Sequence, residues 1–173
     1  MGTVIQDETM KLVIMRHCDA QSGTDDYTRQ LTTRGRQDAD RMAALLSGCG
    51  WDIRHIQHSP LHRTTETAEI IQAHLNKKNI TVEREPAAAL APGLDVDDAM
   101  DILTDAGNSE CRLWIFHAPD VARMGAYLTG LPESAFYFPP GTMLALNLPL
   151  PHPRHRSMLI WHMQPDYLSG SKS

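Results

Sequence analysis

The chain has 173 residues, 42% of them hydrophobic and 21% charged, which suits one globular domain with a core large enough to fold alone. Its net charge of −5 argues against a nucleic-acid binder, which is ordinarily basic. No apolar run is long enough to span a membrane, the polar start Met1–Met10 does not read as a signal peptide, and three scattered cysteines make neither a disulfide framework nor a zinc pair. A reducing, cytoplasmic setting is the expectation.

In chain order, Lys11–Met15 (KLVIM) predicts a buried strand, and Gln21–Arg29 is polar and loop-like. A helix follows, with Thr33 as its expected N-cap, Met42, Leu45 and Leu46 at helical spacing, and Gly48 and Gly50 at its end. Ile53–His58 predicts a second strand. Ser59-Pro60 is expected to open a second helix running to about Asn76. Ile80–Arg84 alternates as a strand does, and Asp95–Ala106 predicts a helix. Arg112–Phe116 (RLWIF) is a buried-strand run ending at His117, followed by a helix over Pro119–Leu128. Thr142–Leu148 and Ser157–Met163 close the chain as two strands around the proline-rich, basic "PLPHPRHR". Strands alternating with helices predict an α/β sandwich with a mostly parallel sheet, and the closing pair adds one antiparallel edge strand. The expected division is a flexible segment 1–10, a single domain 11–168 and a flexible tail 169–173.

Three predicted strands end on reactive residues: Arg16-His17, Ser59 with Arg63 one helical turn later, and His117. Open α/β sheets bind ligands beyond the carboxyl ends of their strands, so Arg16, His17, Arg63 and His117 can converge on one site. Two arginines and two histidines make a cationic pocket rich in N–H donors, which suits a phosphoryl group. Helix N-termini beside those strand ends would add to the positive field. The bland reading of each alone, a solvated surface arginine or histidine, is overcome only by the combination.

The same residues carry a family resemblance. "RHCDA" (Arg16–Ala20) resembles the Arg-His-Gly signature of the histidine phosphatase, or phosphoglycerate mutase-like, superfamily. "LTTRG" (Leu31–Gly35), "SPLHRTTETA" (Ser59–Ala68) and "FHAPDV" (Phe116–Val121) resemble its later motifs, in family order. The short length and the closing "WHMQP" (Trp161–Pro165) resemble the compact SixA-type phosphohistidine phosphatases. The resemblance implies a three-layer α/β/α sandwich of the phosphoglycerate mutase type. It also implies covalent catalysis, with His17 attacking phosphorus and Arg16, Arg63 and His117 holding the phosphoryl oxygens. No cofactor or metal is implied, because the arginines supply the positive charge. The implied partner is a phosphohistidine-bearing protein, such as a histidine phosphotransfer domain, or a small phosphorylated substrate, with neither nucleic acid nor membrane involved. The alternatives are a small-molecule phosphomonoesterase of the same superfamily and a weakly active or inactive phosphate-binding adaptor.

Two positions depart from the pattern. Cys18 stands where the family usually has glycine; its Cβ calls for a negative φ, and it reads first as a tolerated small residue, with lower activity as the alternative. The glutamate that serves many members as leaving-group acid matches Ala89, while Glu83 and Glu85 lie nearby outside the motif. A phosphoimidazole can be protonated by solvent and leave as neutral imidazole, whereas an alkoxide needs an acid, so this absence favours phosphohistidine. Cys18 as the nucleophile fails on spacing: a cysteine phosphatase needs arginine six residues on, where Thr24 stands. A redox role for its thiol, and metal binding by His55 with His58 or by His152–Arg156, are weaker readings.

Overall fold

The computed structural model describes residues 8–104, 106, 110–151 and 153–169. The flexibility expected of 1–7 and 170–173, and any role for His152, lie outside the described residues. Within the expected flexible segment, however, Thr9 already begins the first strand and Met10 is fully buried.

Six strands form one sheet: β1 (Thr9–Arg16), β2 (Asp52–His58), β3 (Glu83–Pro86), β4 (Glu110–Phe116), β5 (Met143–Pro149) and β6 (Met158–Met163). Their order is β3-β2-β4-β1-β5-β6. The first four are parallel; β5 pairs antiparallel with β1, and the edge strand β6 pairs antiparallel with β5. The sheet is therefore mostly parallel, and its antiparallel ladders lie on one side, as the closing strand pair predicted.

Period-two alternation sends each strand's side chains to opposite faces. Val13 and Met15 pack with Leu113 and Ile115 against helices α1 (Thr33–Gly48) and α2 (His62–Lys77). Leu12 and Ile14 pack with Trp114 and Phe116 against α3 (Val96–Asp101) and α4 (Asp120–Thr129). Both faces are covered, giving the three-layer α/β/α sandwich. The apolar runs KLVIM and RLWIF are continuous because neither of their faces meets water.

Helix ends correct the sequence reading in detail. Thr32, not Thr33, caps α1: its Oγ1 accepts from Gly35 N at 2.9 Å and donates to Asp19 Oδ2 at 2.7 Å. One hydroxyl thus joins the helix start to the loop after β1. Gly35 is tied to the same loop, since a Cβ there would collide with the Asp19 carbonyl oxygen. The second helix starts at His62, leaving Pro60 in the turn ahead of it rather than in its first turn. The helix expected over Asp95–Ala106 is regular only over six residues, with Asp95 as its cap.

Candidate active site

The sheet sets the site residues in one row. The His17 amide donates to Phe116 O at 3.0 Å, which carries the β1–β4 ladder beyond Arg16↔Phe116 and seats His17 beside His117. Their ring centroids are 5.3 Å apart. The Ser59 amide donates to Ile115 O at 3.0 Å, so the end of β2 joins the same row. Arg63 enters from the first turn of α2. All four expected residues, Arg16, His17, Arg63 and His117, meet at the carboxyl ends of the parallel strands.

His17 is 7% exposed, and Arg63 and His117 are each 4% exposed. His17 Nδ1 lies 2.8 Å from Cys18 O. A carbonyl only accepts, so Nδ1 carries the proton and Nε2 the lone pair. Arg63 Nε donates to that Nε2 at 3.1 Å. Arg63 Nη2 stands 3.2 Å from His117 Nδ1. A guanidinium only donates, so Nδ1 accepts and His117 Nε2 donates to Ser59 Oγ at 2.8 Å. Both histidines therefore have an assigned tautomer, and both are neutral in this arrangement.

Electrostatics agrees with that assignment. Burial pushes His17 down to about 3; His117, Arg63 and Arg16 push the same way, while the Cys18 carbonyl opposes them. Burial, then Arg63, pushes His117 down to about 4, with Asp26 opposing. Charging either ring would place a cation in a buried pocket that already holds two guanidinium groups. Arg16 is anchored by Nη1 donating to Phe138 O at 2.9 Å, and its Nε is buried with no protein partner. An unpartnered buried guanidinium N–H is costly, and an anion in the pocket would satisfy it.

Two residues of the site escaped the sequence reading, and a third lies in the quoted motif without an assigned role. Asp26 and Arg29 belong to the stretch read only as a polar loop, yet Asp26 binds Arg63 twice, and Arg29 Nη2 binds Asp26 Oδ1 at 2.8 Å. The third is Thr67, whose Oγ1 accepts from Cys18 N at 3.2 Å and donates to Arg63 O at 2.7 Å, tying the two cationic segments together. No periodicity marks Asp26 or Arg29; only the fold brings their loop over α2.

Cys18 is accommodated without strain. Among the described residues the non-glycine positions of positive φ are Asn79 and His155. Cys18 thus keeps an ordinary φ, as a Cβ requires. Its side chain is fully buried in the core against Met15 and the α1 helix, close to Gly141, and burial pushes the thiol pKa up. A reactive or sensing thiol needs the reverse, an exposed and acidified sulfur.

Ala89 lies in a short 3-10 turn after β3 and brings no carboxylate to the site. Glu85 accepts from Gln57 Nε2 at 2.9 Å, and Glu83 is paired with His55 at 3.6 Å. Among the described residues, no cluster of three histidine, cysteine, aspartate or glutamate side chains is arranged to hold a metal, and no helix is long and apolar enough to cross a membrane.

Residues 12–87 match the family model of the histidine phosphatase superfamily, branch 1. Over most of its length the chain superposes on the protein histidine phosphatase SixA complexed with tungstate. The TM-score is 0.79 and the identity 29%, covering 92% of this chain and 99% of that one. The histidine phosphatase superfamily match thus covers the first part of the chain, and the fold likeness to SixA extends over most of it. It is also similar at the fold level to the phosphoglycerate mutase of Plasmodium falciparum, with TM-score 0.62, 18% identity, and 89% and 90% of the two chains covered. Among curated relatives, serine/threonine-protein phosphatase PGAM5, mitochondrial, of Xenopus tropicalis is 38% identical over 68 residues, 39% of this chain and 24% of that protein. Its Xenopus laevis counterpart is 35% identical over 83 residues, 46% of this chain and 30% of that protein. The chain thus spans only about a quarter of the length of the first of these curated relatives.

Proposed function

We propose that the chain is a phosphatase that works through a covalent phosphohistidine at His17, with phosphohistidine-bearing protein as its substrate class. The observation that carries this reading is the His17 tautomer. Nδ1–H is tied to the Cys18 carbonyl, so the Nε2 lone pair faces the cationic pocket. A depressed pKa of about 3 keeps that nitrogen unprotonated across the physiological range.

In the proposed reaction, a phosphoryl group enters with its oxygens on Arg16, Arg63 and His117. His17 Nε2 surrenders its bond to Arg63 Nε and attacks phosphorus in line, expelling the substrate's leaving group from the opposite side. The guanidinium groups stabilise the charge of the loose, metaphosphate-like transition state, joined by the His117 Nε2–H once it is released from Ser59 Oγ. Water then takes the phosphoryl group from His17. No cofactor or metal enters this scheme.

The substrate class rests on the leaving group. No carboxylate stands at the Ala89 position, so an alkoxide would leave unprotonated, while a phosphoimidazole can leave as neutral imidazole. The SixA relative, named a protein histidine phosphatase, supports this choice. The PGAM5 relatives, named serine/threonine-protein phosphatases, support a protein substrate but the less favourable leaving group.

The test is transfer of label from a radiolabelled phosphohistidine protein. Acid-labile label on wild type and none on His17→Ala is the expected result. Label retained on His17→Ala would remove His17 as the nucleophile. Faster hydrolysis of alkyl phosphates than of phosphohistidine protein would remove the substrate class.

A further inference from the structure

The loop between β1 and α1 closes back on itself: Ala20 bridges Leu31, and Gln21 N donates to Gln30 O at 2.8 Å. Its distal part crosses α2, where His62 N donates to Tyr27 O at 3.0 Å. Asp26 sits at that crossing. Its carbonyl accepts from Arg63 Nη1 at 2.6 Å, and its Oδ2 accepts from Arg63 Nη2 at 3.1 Å.

Arg63 has five N–H donors. One goes to His17, one to His117 and two to Asp26. The donors that Asp26 takes are those a phosphoryl group would claim. The Asp26 carboxylate takes one of them, Nη2, through Oδ2 alone, while the Asp26 main-chain carbonyl takes Nη1. The rest of the anion pocket is left wanting: Arg16 Nε is buried without a partner, and so is Arg29 Nε. The Asp26 carboxylate, 57% exposed, is the solvent-facing half of this arrangement, whereas the Arg63 side chain is only 5% exposed.

We infer that Asp26 is an internal competitor for the phosphoryl group: its carboxylate holds Arg63 in the resting site and has to be displaced when an oxyanion binds. This rests on the phosphatase reading of the same site and adds a gate to it. Two anions cannot share one guanidinium edge, because their repulsion at contact distance outweighs what an exposed carboxylate gains from the ion pair. Arg29, bonded to Asp26 Oδ1 at 2.8 Å, would keep the released carboxylate paired. The competitor also favours substrates that bring binding energy from beyond the phosphoryl group, as a protein surface does, over free inorganic phosphate.

The test is calorimetric titration of inorganic phosphate into wild type, Asp26→Asn and Asp26→Ala. Asp26→Asn keeps the shape and removes the charge, and thermal melts of all three proteins establish that each is folded. The expected result is tighter phosphate binding by both variants, on the order of tenfold, equivalent to about 1.4 kcal/mol. Equal or weaker binding by the folded variants, with wild type still binding, would overturn the competitor role and leave the phosphatase reading standing. Failure of all three to bind phosphate would overturn both, because the pocket would then not be an anion site.

Discussion

Arg63 Nε donates to His17 Nε2 at 3.1 Å while Arg63 Nη2 reaches His117 Nδ1 at 3.2 Å, so one guanidinium holds both histidines of the site. A lysine ammonium is a point donor and cannot span those two directions along with Asp26. Arg63→Lys is therefore expected to lower kcat/KM by about 10²–10³-fold, the usual cost of losing an oriented transition-state donor. Steady-state kinetics on a phosphohistidine protein checks this, and a loss of less than tenfold would mean that charge alone suffices.

Stability should fall on mild acidification. His17 and His117 are held neutral by burial, at about 3 and about 4, whereas in the unfolded chain both titrate near 6.5. Between those values the unfolded chain binds more protons, so stability is complete above about pH 6.5 and is lost as the pH falls through 6.5 toward 4. Urea denaturation across pH 4.5 to 8 should show this slope. His17→Asn, which removes one of the two groups, should flatten it.

Cys18 should be inert as a thiol and useful as packing. Its side chain is fully buried with a raised pKa, while Cys49 is only partly buried. A thiol reagent on the native protein should label Cys49 first, and peroxide should leave turnover unchanged. Cys18→Gly restores the family residue but empties a core position and frees the backbone, at a cost of about 1–3 kcal/mol in denaturant unfolding. Rapid labelling of Cys18 in folded protein would contradict the packing role.

Ala89→Glu tests the substrate argument from the opposite side. A carboxylic acid at that position should raise hydrolysis of an alkyl phosphate on the order of tenfold or more, the low end of general acid catalysis, and change phosphohistidine turnover little. Parallel assays of p-nitrophenyl phosphate, an alkyl phosphate and a phosphohistidine protein separate the cases. p-Nitrophenyl phosphate serves as the control, because its leaving group needs no acid. An equal gain on the phosphohistidine protein would undercut the leaving-group argument.

Much of the sandwich is legible in the sequence. KLVIM and RLWIF are too uniformly apolar for anything but strands buried on both faces, and Arg16-His17 and His117 follow them directly. Element type is a local property, so it was read well. Element ends were not, because they depend on partners distant in the chain. Thr32 rather than Thr33 caps α1 because its hydroxyl can also reach Asp19, and β1 starts at Thr9 because β5 continues to Pro149 beside it.

By itself, then, the sequence determined the alternation of strands and helices, the cationic residues at the strand ends, and the missing carboxylate at Ala89. Only the tertiary structure decided which lone pair His17 offers, because the Cys18 carbonyl fixes that proton. It also decided that Cys18 points into the core, and that Asp26 lies on Arg63 although 37 residues separate them. Hydrogen bonds and burial are set by neighbours in space, and for a loop without periodicity the chain order carries no record of them.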